Sequence, residues 1–498
     1  MNVKAVGSAQ LPKKTDPEEY DLVVLGSGTG SKVAAWTTAE QGRRVALIER
    51  KYIGGSCHNI ACLPSKNIIH SAKVASYVRR SKEFGITIDD FRIDMSAVRE
   101  RKRRMVSHSV DIHLEIFKKS GVELILGSGR FIGPRTLEIT QQDGTSRQVH
   151  ADKVIISTGT RATLDAIPGL AEAQPLTHIE ALELGEIPEH LIVIGGGYVG
   201  LELSQAMRRF GSNVSVIDRN NRLLHREDED VSEGLRQLFE DEGIDLVMNA
   251  HVKNVSGKSG QAVQVVIEQN GVEHMLEGSH LLVATGRTPN TADIGLEVAG
   301  VELTDRGYIK VNERLETTAQ GVWALGEVAG SPQFTHISFD DFRVFRDDLG
   351  GGNHVTTGRQ VPFCMFTDPE FARVGLSETE AKRRGIPYRL FKIPMEEVLR
   401  ARTLSETRGF LKALVEMDSD RILGFTGFAV DAGEIMGSVQ IAIIAGLPYT
   451  ALREAILTHP TLIEGLNFLF ATVPSAPSQS MRSADQRQQR DRPKRKLA

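Results

Sequence analysis

Three cysteines in 498 residues are too few for a disulfide framework, so a chain of this length must be held together by ordinary cores. Two of them, Cys57 and Cys62, lie five positions apart, and in a reducing compartment that spacing points to chemistry rather than architecture. Neither sign of charge dominates. Sixty lysines and arginines face 64 aspartates and glutamates, which removes the electrostatic reason to expect nucleic acid or an anionic membrane as a partner. No run reaches the roughly 18 apolar residues of a membrane span, and the opening MNVKAVGSAQLPKKTDPEEYDL lacks the apolar core of a signal peptide. A cytoplasmic protein acting on a small molecule is expected. Hydrophobic content of 40% argues against a mainly disordered chain, and the length calls for several packed units.

What the sequence does contain is a duplication. One strand, glycine turn, helix and strand pattern reads YDLVVLGSGTGSKVAAWTTAEQGRRVALIER, with Gly26, Gly28 and Gly30 in the turn and Glu49 closing the next strand. Its second copy reads HLIVIGGGYVGLELSQAMRRFGSNVSVIDR, with Gly195, Gly197, Gly200 and then Asp218. Glycines permit a tight turn and close approach of a pyrophosphate to the amide-rich helix N-terminus; the acid roughly 20 positions on accepts hydrogen bonds from a ribose. Each copy is therefore expected to hold a dinucleotide. Ser31 stands where a glycine is usual in the first copy and is small enough to be tolerated.

Two further apolar runs end in glycine turns: VIISTGTR, with Thr158 and Gly159, and LLVATGRTPN, with Gly286 and Arg287. VWALGEVAG places Gly326 and Glu327 after another such run, where a carboxylate can meet a cofactor hydroxyl or simply end a strand. The cysteines sit in GGSCHNIACLPSKN, directly after the first nucleotide unit. An undistorted helix separates residues five apart too far for a bridge, so Gly54 and Gly55 are expected to supply the distortion a disulfide needs. His58 between the cysteines is read equally as a neighbour of the thiolate and as a solvent-facing loop residue. Cys364, in VPFCMFTDPE, is read as an ordinary thiol of core or surface.

Together these motifs resemble the class I pyridine nucleotide-disulfide oxidoreductases, among them dihydrolipoamide dehydrogenase, glutathione reductase and mercuric reductase, over about residues 20 to 472. The resemblance implies an α/β fold, with two Rossmann-like dinucleotide-binding domains and a C-terminal α+β dimerisation domain. It implies FAD in the first site, a nicotinamide dinucleotide in the second, and a homodimer. The expected division is 20–170 and 282–357 for FAD, 171–281 for NAD(P), 358–472 for the interface, and a disordered tail over 473–498. Carried onto this chain, Cys57 becomes the interchange thiol and Cys62 the thiol against the flavin. Lys66 and Glu202 become an ion pair near the flavin, and Tyr198 the aromatic gate that nicotinamide displaces. His459 and Glu464, in ILTHPTLIEGL, become an acid–base couple serving the thiols, with the carboxylate fixing the imidazole tautomer.

Asp218 favours NAD(H), because a carboxylate binds ribose hydroxyls and repels a 2′-phosphate, while Arg219, Arg222 and Arg226 keep NADP(H) open. No metal site is expected. The substrate is read as a small thiol, disulfide or lipoyl group, with a mercuric-reductase-like electrophile reductase or a flavoprotein redox sensor as alternatives. Glu327 stands where the resemblance leads one to expect aspartate. Two other segments receive structural readings: RERKRR, from Arg99 to Arg104, as a solvated helix face without a site, and IMGSVQIAIIAGL as an apolar helix for dimer packing.

Overall fold

The structure, a computed structural model, describes residues 16–474, so the tail expected at 473–498 lies outside the described residues from Ser475 onward. The chain divides into two compact units. The first runs through Asn59 and then takes Val106–Arg161 and Thr288–Gly358. The second is built from Ile60–Met105, Ala162–Arg287 and the chain from Arg359.

In the first unit, the apolar runs of the first glycine motif become parallel strands buried on both faces. Glu18–Leu25 pairs with Val45–Glu49 on one side and Ser146–Ile156 on the other; Glu123–Gly133 and Val322–Ala324 extend the sheet at its two ends. The long strands Glu123–Gly133 and Ser146–Ile156 also reach beyond the parallel sheet and pair antiparallel with Thr136–Gln141. Helix Thr29–Ala39 lies against the sheet through Val33, Ala34, Ala35 and Ala39, whose small side chains let the helix approach closely.

The second unit repeats the plan. Strands His280–Val283, His190–Ile194, Asn213–Ile217 and Asp245–Val247 form a parallel sheet, with helix Tyr198–Phe210 after the glycine turn. An antiparallel meander, Ala250–Lys258, Ala262–Gln269 and Val272–Gly278, follows as its counterpart does in the first unit. Residues 60–105 group with this unit, tied to it by Lys66–Glu202 at 2.7 Å and Lys73–Asp368 at 3.1 Å. Within RERKRR the structure departs from the solvated reading: Lys102 is buried and pairs with Glu183, which also takes Arg103 at 2.8 Å. A run of like charges hides a buried member because only one helix face meets solvent.

The C-terminal part carries a five-stranded antiparallel sheet, in the order Phe363–Met365, Glu370–Gly375, Ile422–Ala429, Phe410–Glu416, Tyr388–Pro394. Helix Ala432–Ile444 buries Ile435, Met436, Val439 and Ala442 in its core, while Ile441 and Ile444 remain 64% and 65% exposed. One face of IMGSVQIAIIAGL is thus core and the other is open.

A buried lysine anchors this sheet. Lys412 is wholly buried and its ammonium donates to Asp228 at 2.8 Å, Asp230 at 2.8 Å and Glu378 at 3.1 Å. Burial alone would raise the Asp228 pKa, but Lys412 and hydrogen bonds from Thr379 outweigh it and pull the carboxyl down to about 2. Removing the cation leaves three carboxylates facing one another, so Lys412→Ala is expected to cost about 3–5 kcal/mol in urea unfolding. Because the folded pKa of Asp228 lies below its unfolded value, its contribution is complete above about pH 4 and lost as the pH falls towards 2. The stability gap between the native chain and Asp228→Asn should therefore close between about pH 4 and 2; a gap that does not change with pH would contradict this.

Candidate functional site

Both glycine turns are closed by the same device. Gly26 has φ +97°, and a Cβ there would sit 2.4 Å from the Ser157 carbonyl oxygen; Gly195 has φ +111°, with the Ala284 carbonyl oxygen 2.5 Å from the same imaginary atom. In both copies the first glycine is required because the turn is left-handed and lies against the end of a neighbouring strand. The acid two dozen residues on then ties the turn. Glu49 accepts from Ser27 N at 3.0 Å and Ser27 Oγ at 2.7 Å, and Asp218 accepts from Gly196 N at 2.7 Å.

Each turn delivers the chain into a helix whose N-cap is glycine, Gly28 before Thr29–Ala39 and Gly197 before Tyr198–Phe210, and neither cap offers a side chain to the first-turn amides. In the first copy Gly30 N already donates to Ser338 Oγ at 3.1 Å; the other first-turn amides are the donors a pyrophosphate needs. Space in front of Gly197 is open, with nothing within 4 Å of a Cβ placed there. The residues present therefore fit dinucleotides: Gly26, Gly28, Gly30 and Glu49 in the first unit, Gly195, Gly197, Gly200 and Asp218 in the second.

Around the first cradle, Thr158 Oγ1 donates to the Asn290 carbonyl at 2.7 Å, and Asn290 N donates back to the Gly159 carbonyl at 2.9 Å. Glu327 accepts a hydrogen bond from the Thr160 hydroxyl, and Gly326 N donates to the buried Asp341 carboxylate at 2.7 Å. Asn290 and Asp341 were not singled out from the sequence. TGRTPN carried Asn290 in plain view, whereas nothing local marks Asp341 on its helix.

In the second unit Lys66 and Glu202 meet at 2.7 Å, and the other oxygen of Glu202 accepts from Phe366 N at 2.8 Å. The Lys66 ammonium also lies over the Phe366 ring, 4.8 Å from its centroid. Tyr198 stacks on Phe363 at 5.6 Å, and burial, reinforced by the Glu227 carboxylate, raises its phenol pKa. Beside Asp218, Arg222 donates to the carbonyls of His225 and Glu227 at 3.0 and 3.1 Å, while Arg219 and Arg226 are exposed. Arg287 is half-buried and, after burial itself, is the next cause of the low pKa of His178, about 4.

His459 Nδ1 lies 3.0 Å from both oxygens of Glu464. A carboxylate can only accept here, so Nδ1 carries the proton and Nε2 is left as the basic nitrogen on a ring that is 60% exposed. Cys57 lies in the short helix Ser56–Asn59 and Cys62 opens helix Cys62–Arg79, both half-buried. Gly54 and Gly55 precede them with φ of +89° and +85°. Cys364 is a different kind of thiol: burial, then Glu370, pushes its pKa far up and keeps it protonated. Among the described residues no cluster of three metal-ligating side chains occurs, and no helix is long and apolar enough to cross a membrane.

One further group was missed from the sequence. Lys32, on the first glycine helix, donates to the Gly54 carbonyl at 2.9 Å and approaches His113 Nε2 at 2.6 Å. A lysine inside GSKVAAW, on a helix otherwise made of small and apolar residues, was the available signal.

The comparisons with known proteins agree with this architecture. The sequence pattern of the pyridine nucleotide-disulphide oxidoreductases matches residues 20–341, and that of their dimerisation domain matches residues 361–468. The chain belongs to this family of FAD-dependent oxidoreductases that use a pyridine nucleotide, with two dinucleotide-binding domains followed by a dimerisation domain. It is 36% identical to the probable pyridine nucleotide-disulfide oxidoreductase RclA of Escherichia coli, over 91% of this chain and 99% of that one. The solved structure of RclA, described as an HOCl-induced flavoprotein disulfide reductase, superposes with a TM-score of 0.83 at 35% identity, covering 91% of this chain and 100% of the other. A mercuric reductase of Staphylococcus aureus is 31% identical over 95% of this chain and 87% of its own length; the mitochondrial dihydrolipoyl dehydrogenase of Pisum sativum is 32% identical over 90% of each.

Asp218 holds its turn and faces the second cradle, so its loss should be felt in nucleotide affinity. Asp218→Ala is expected to weaken NADH binding about tenfold, ~1.4 kcal/mol, in a fluorescence titration of the flavin-loaded protein. An unchanged Kd would remove this carboxylate from the site.

Proposed function

We propose that the chain is an NAD(P)H-dependent dithiol–disulfide oxidoreductase, in which the Cys57/Cys62 pair passes reducing equivalents to or from a small thiol, disulfide or lipoyl substrate. The observation that carries this reading is the His459–Glu464 couple, because an exposed imidazole with its tautomer fixed is what exchange between thiols requires. Bound FAD would supply the exchange of a nicotinamide hydride for the electron pair of a dithiol. Gly26, Gly28, Gly30, Glu49, Thr158, Gly159 and Glu327 would hold it. Lys66 and Glu202 would lie by its ring, with Gly195, Gly197, Tyr198, Gly200, Asp218, Gly286 and Arg287 holding the nicotinamide dinucleotide. The open Ile441 and Ile444 face of helix Ala432–Ile444 supports assembly as a homodimer through the dimerisation domain.

In the reducing direction, the Cys57 thiolate attacks one sulfur of the substrate disulfide, forming a mixed disulfide and expelling the other sulfur as thiolate. His459, protonated at Nε2, gives that leaving group its proton. The Cys62 thiol then attacks the Cys57 sulfur, its proton passing by way of His459 to the second substrate sulfur, which leaves as thiol, and the two cysteines are left oxidised for the next pair of electrons. Dithiol oxidation uses the same steps in reverse. Asp218 favours NAD(H) over NADP(H), and the solvent-exposed Arg219 and Arg226 are the residues that would receive a 2′-phosphate.

Likeness to mercuric reductase and to RclA, which has been solved as a Cu(II) complex, supports a second reading in which the same pair reduces a metal ion or another electrophile. Turnover of NAD(P)H with glutathione disulfide, mercuric ion, Cu(II) and quinones, beside dihydrolipoamide with NAD, separates the two readings.

Anaerobic NADH titration of the FAD-loaded protein should produce a long-wavelength absorbance from a thiolate lying against oxidised flavin, and Cys62→Ser should abolish it. A band that survives Cys62→Ser places the donor sulfur elsewhere. His459→Gln should slow thiol exchange about 100-fold or more while NADH reduces the flavin at a rate within about twofold of the parent. Loss of bound flavin instead would make His459 structural.

A further inference from the structure

Lys32 is only 2% exposed, and a buried ammonium ordinarily has a carboxylate beside it. Here its hydrogen-bond partners are both neutral, the Gly54 carbonyl at 2.9 Å and His113 Nε2 at 2.6 Å. The tautomer of His113 follows from its other nitrogen: Nδ1 lies 2.6 Å from the Ser109 carbonyl and must donate to it, so Nε2 is unprotonated and accepts from the ammonium. His58 sets the edge of its ring against His113, centroids 4.5 Å apart, and its buried Nδ1 has no hydrogen-bond partner among the described residues. This group brackets Cys57 in sequence and in space, through Gly54 three residues before it and His58 immediately after.

Charge separates the members of the group. Burial first, and then the neighbouring Lys32, lowers both imidazoles, His58 to about 4, so each is neutral at physiological pH. Burial likewise lowers Lys32, to about 8, and the ionisable group that acts to hold its charge in place is Cys57. Below about pH 8 the cluster therefore carries one positive charge, on Lys32.

We propose that Lys32 is a positioning residue for the thiol chemistry: its buried ammonium, fixed by the Gly54 carbonyl and His113 Nε2, is the counter-cation that keeps Cys57 ionised and nucleophilic. The proposal rests on Cys57 being the exchange thiol. It assigns His58 a packing role against His113 rather than a charge of its own.

The test is the ionisation of Cys57 in the reduced, FAD-loaded protein under anaerobic conditions. Alkylation by iodoacetamide is followed from pH 4 to 10 on the Cys57 peptide by mass spectrometry, with flavin content recorded for every variant. Lys32→Met is expected to raise the apparent thiol pKa by at least about one unit, slowing alkylation about tenfold per unit at pH values well below it, and Lys32→Arg to restore it to within about half a unit. The double variant Lys32→Met/His113→Leu removes the stranded imidazole acceptor as well as the charge and should show the same rise, which covers the case in which Lys32→Met alone fails to fold. A thiol pKa unmoved in a flavin-retaining Lys32→Met or double variant overturns the proposal, since a lysine needed only for packing changes stability and not this titration. Alkylation requires no turnover, so a failed flavin titration would sink the redox reading of the pair while leaving this coupling separately measurable.

Discussion

A carboxylate at the end of a strand holding the backbone of a glycine turn is the constraint on which the rest of this protein depends. Glu49 grips Ser27 and Asp218 grips Gly196, and in each case the turn is wedged against a neighbouring strand through a glycine no other residue could replace. The turn fixes the direction of the helix that follows and brings first-turn amides to where a phosphate can meet them, the Gly30 amide excepted, which donates to Ser338 Oγ at 3.1 Å. Helix Thr29–Ala39 then carries Lys32 into the interior, and helix Tyr198–Phe210 carries Glu202 to Lys66. The local chemistry therefore follows from two copies of one turn.

Three buried lysines show how differently the fold meets the same electrostatic cost. Lys412 is surrounded by three carboxylates, and Lys102 pairs with Glu183. Both are conventional solutions in which opposite charge offsets desolvation. Among the described residues, Lys32 has a carbonyl and a neutral imidazole as its hydrogen-bond partners, and the ionisable group that favours its charge is Cys57. Where a protein keeps a buried charge without a permanent partner, the reacting group is the natural one.

The fold was legible because its signals are local. Gly26 and Gly195 announce left-handed turns, and runs such as LVVL and LIVI announce strands buried on both faces. The short distance from Lys66 to Glu202 was foreseen only through the resemblance, since the pair lies far apart in sequence, whereas the spacing of His459 and Glu464 already let one carboxylate orient one imidazole. Lys32 and His113 stand on helices separated by strand Val45–Glu49, the cysteine segment and helix Cys62–Arg79, and no periodicity links them; Asp228, Glu378 and Lys412 are scattered in the same way. RERKRR was misjudged at Lys102 because composition reports a charge run, not which face of its helix is turned inward.

If the two cradles are both nucleotide sites, one chain holds two different dinucleotides in two copies of one turn. That is tested most directly by stoichiometry: denaturing the purified protein and identifying the released flavin, then titrating the flavin-loaded protein with a nicotinamide dinucleotide by calorimetry. One FAD per chain and one further nucleotide site per chain are expected, the second lost in Gly197→Val while the flavin is retained. A chain that holds no flavin, or whose nicotinamide binding survives Gly197→Val unchanged, would contradict this.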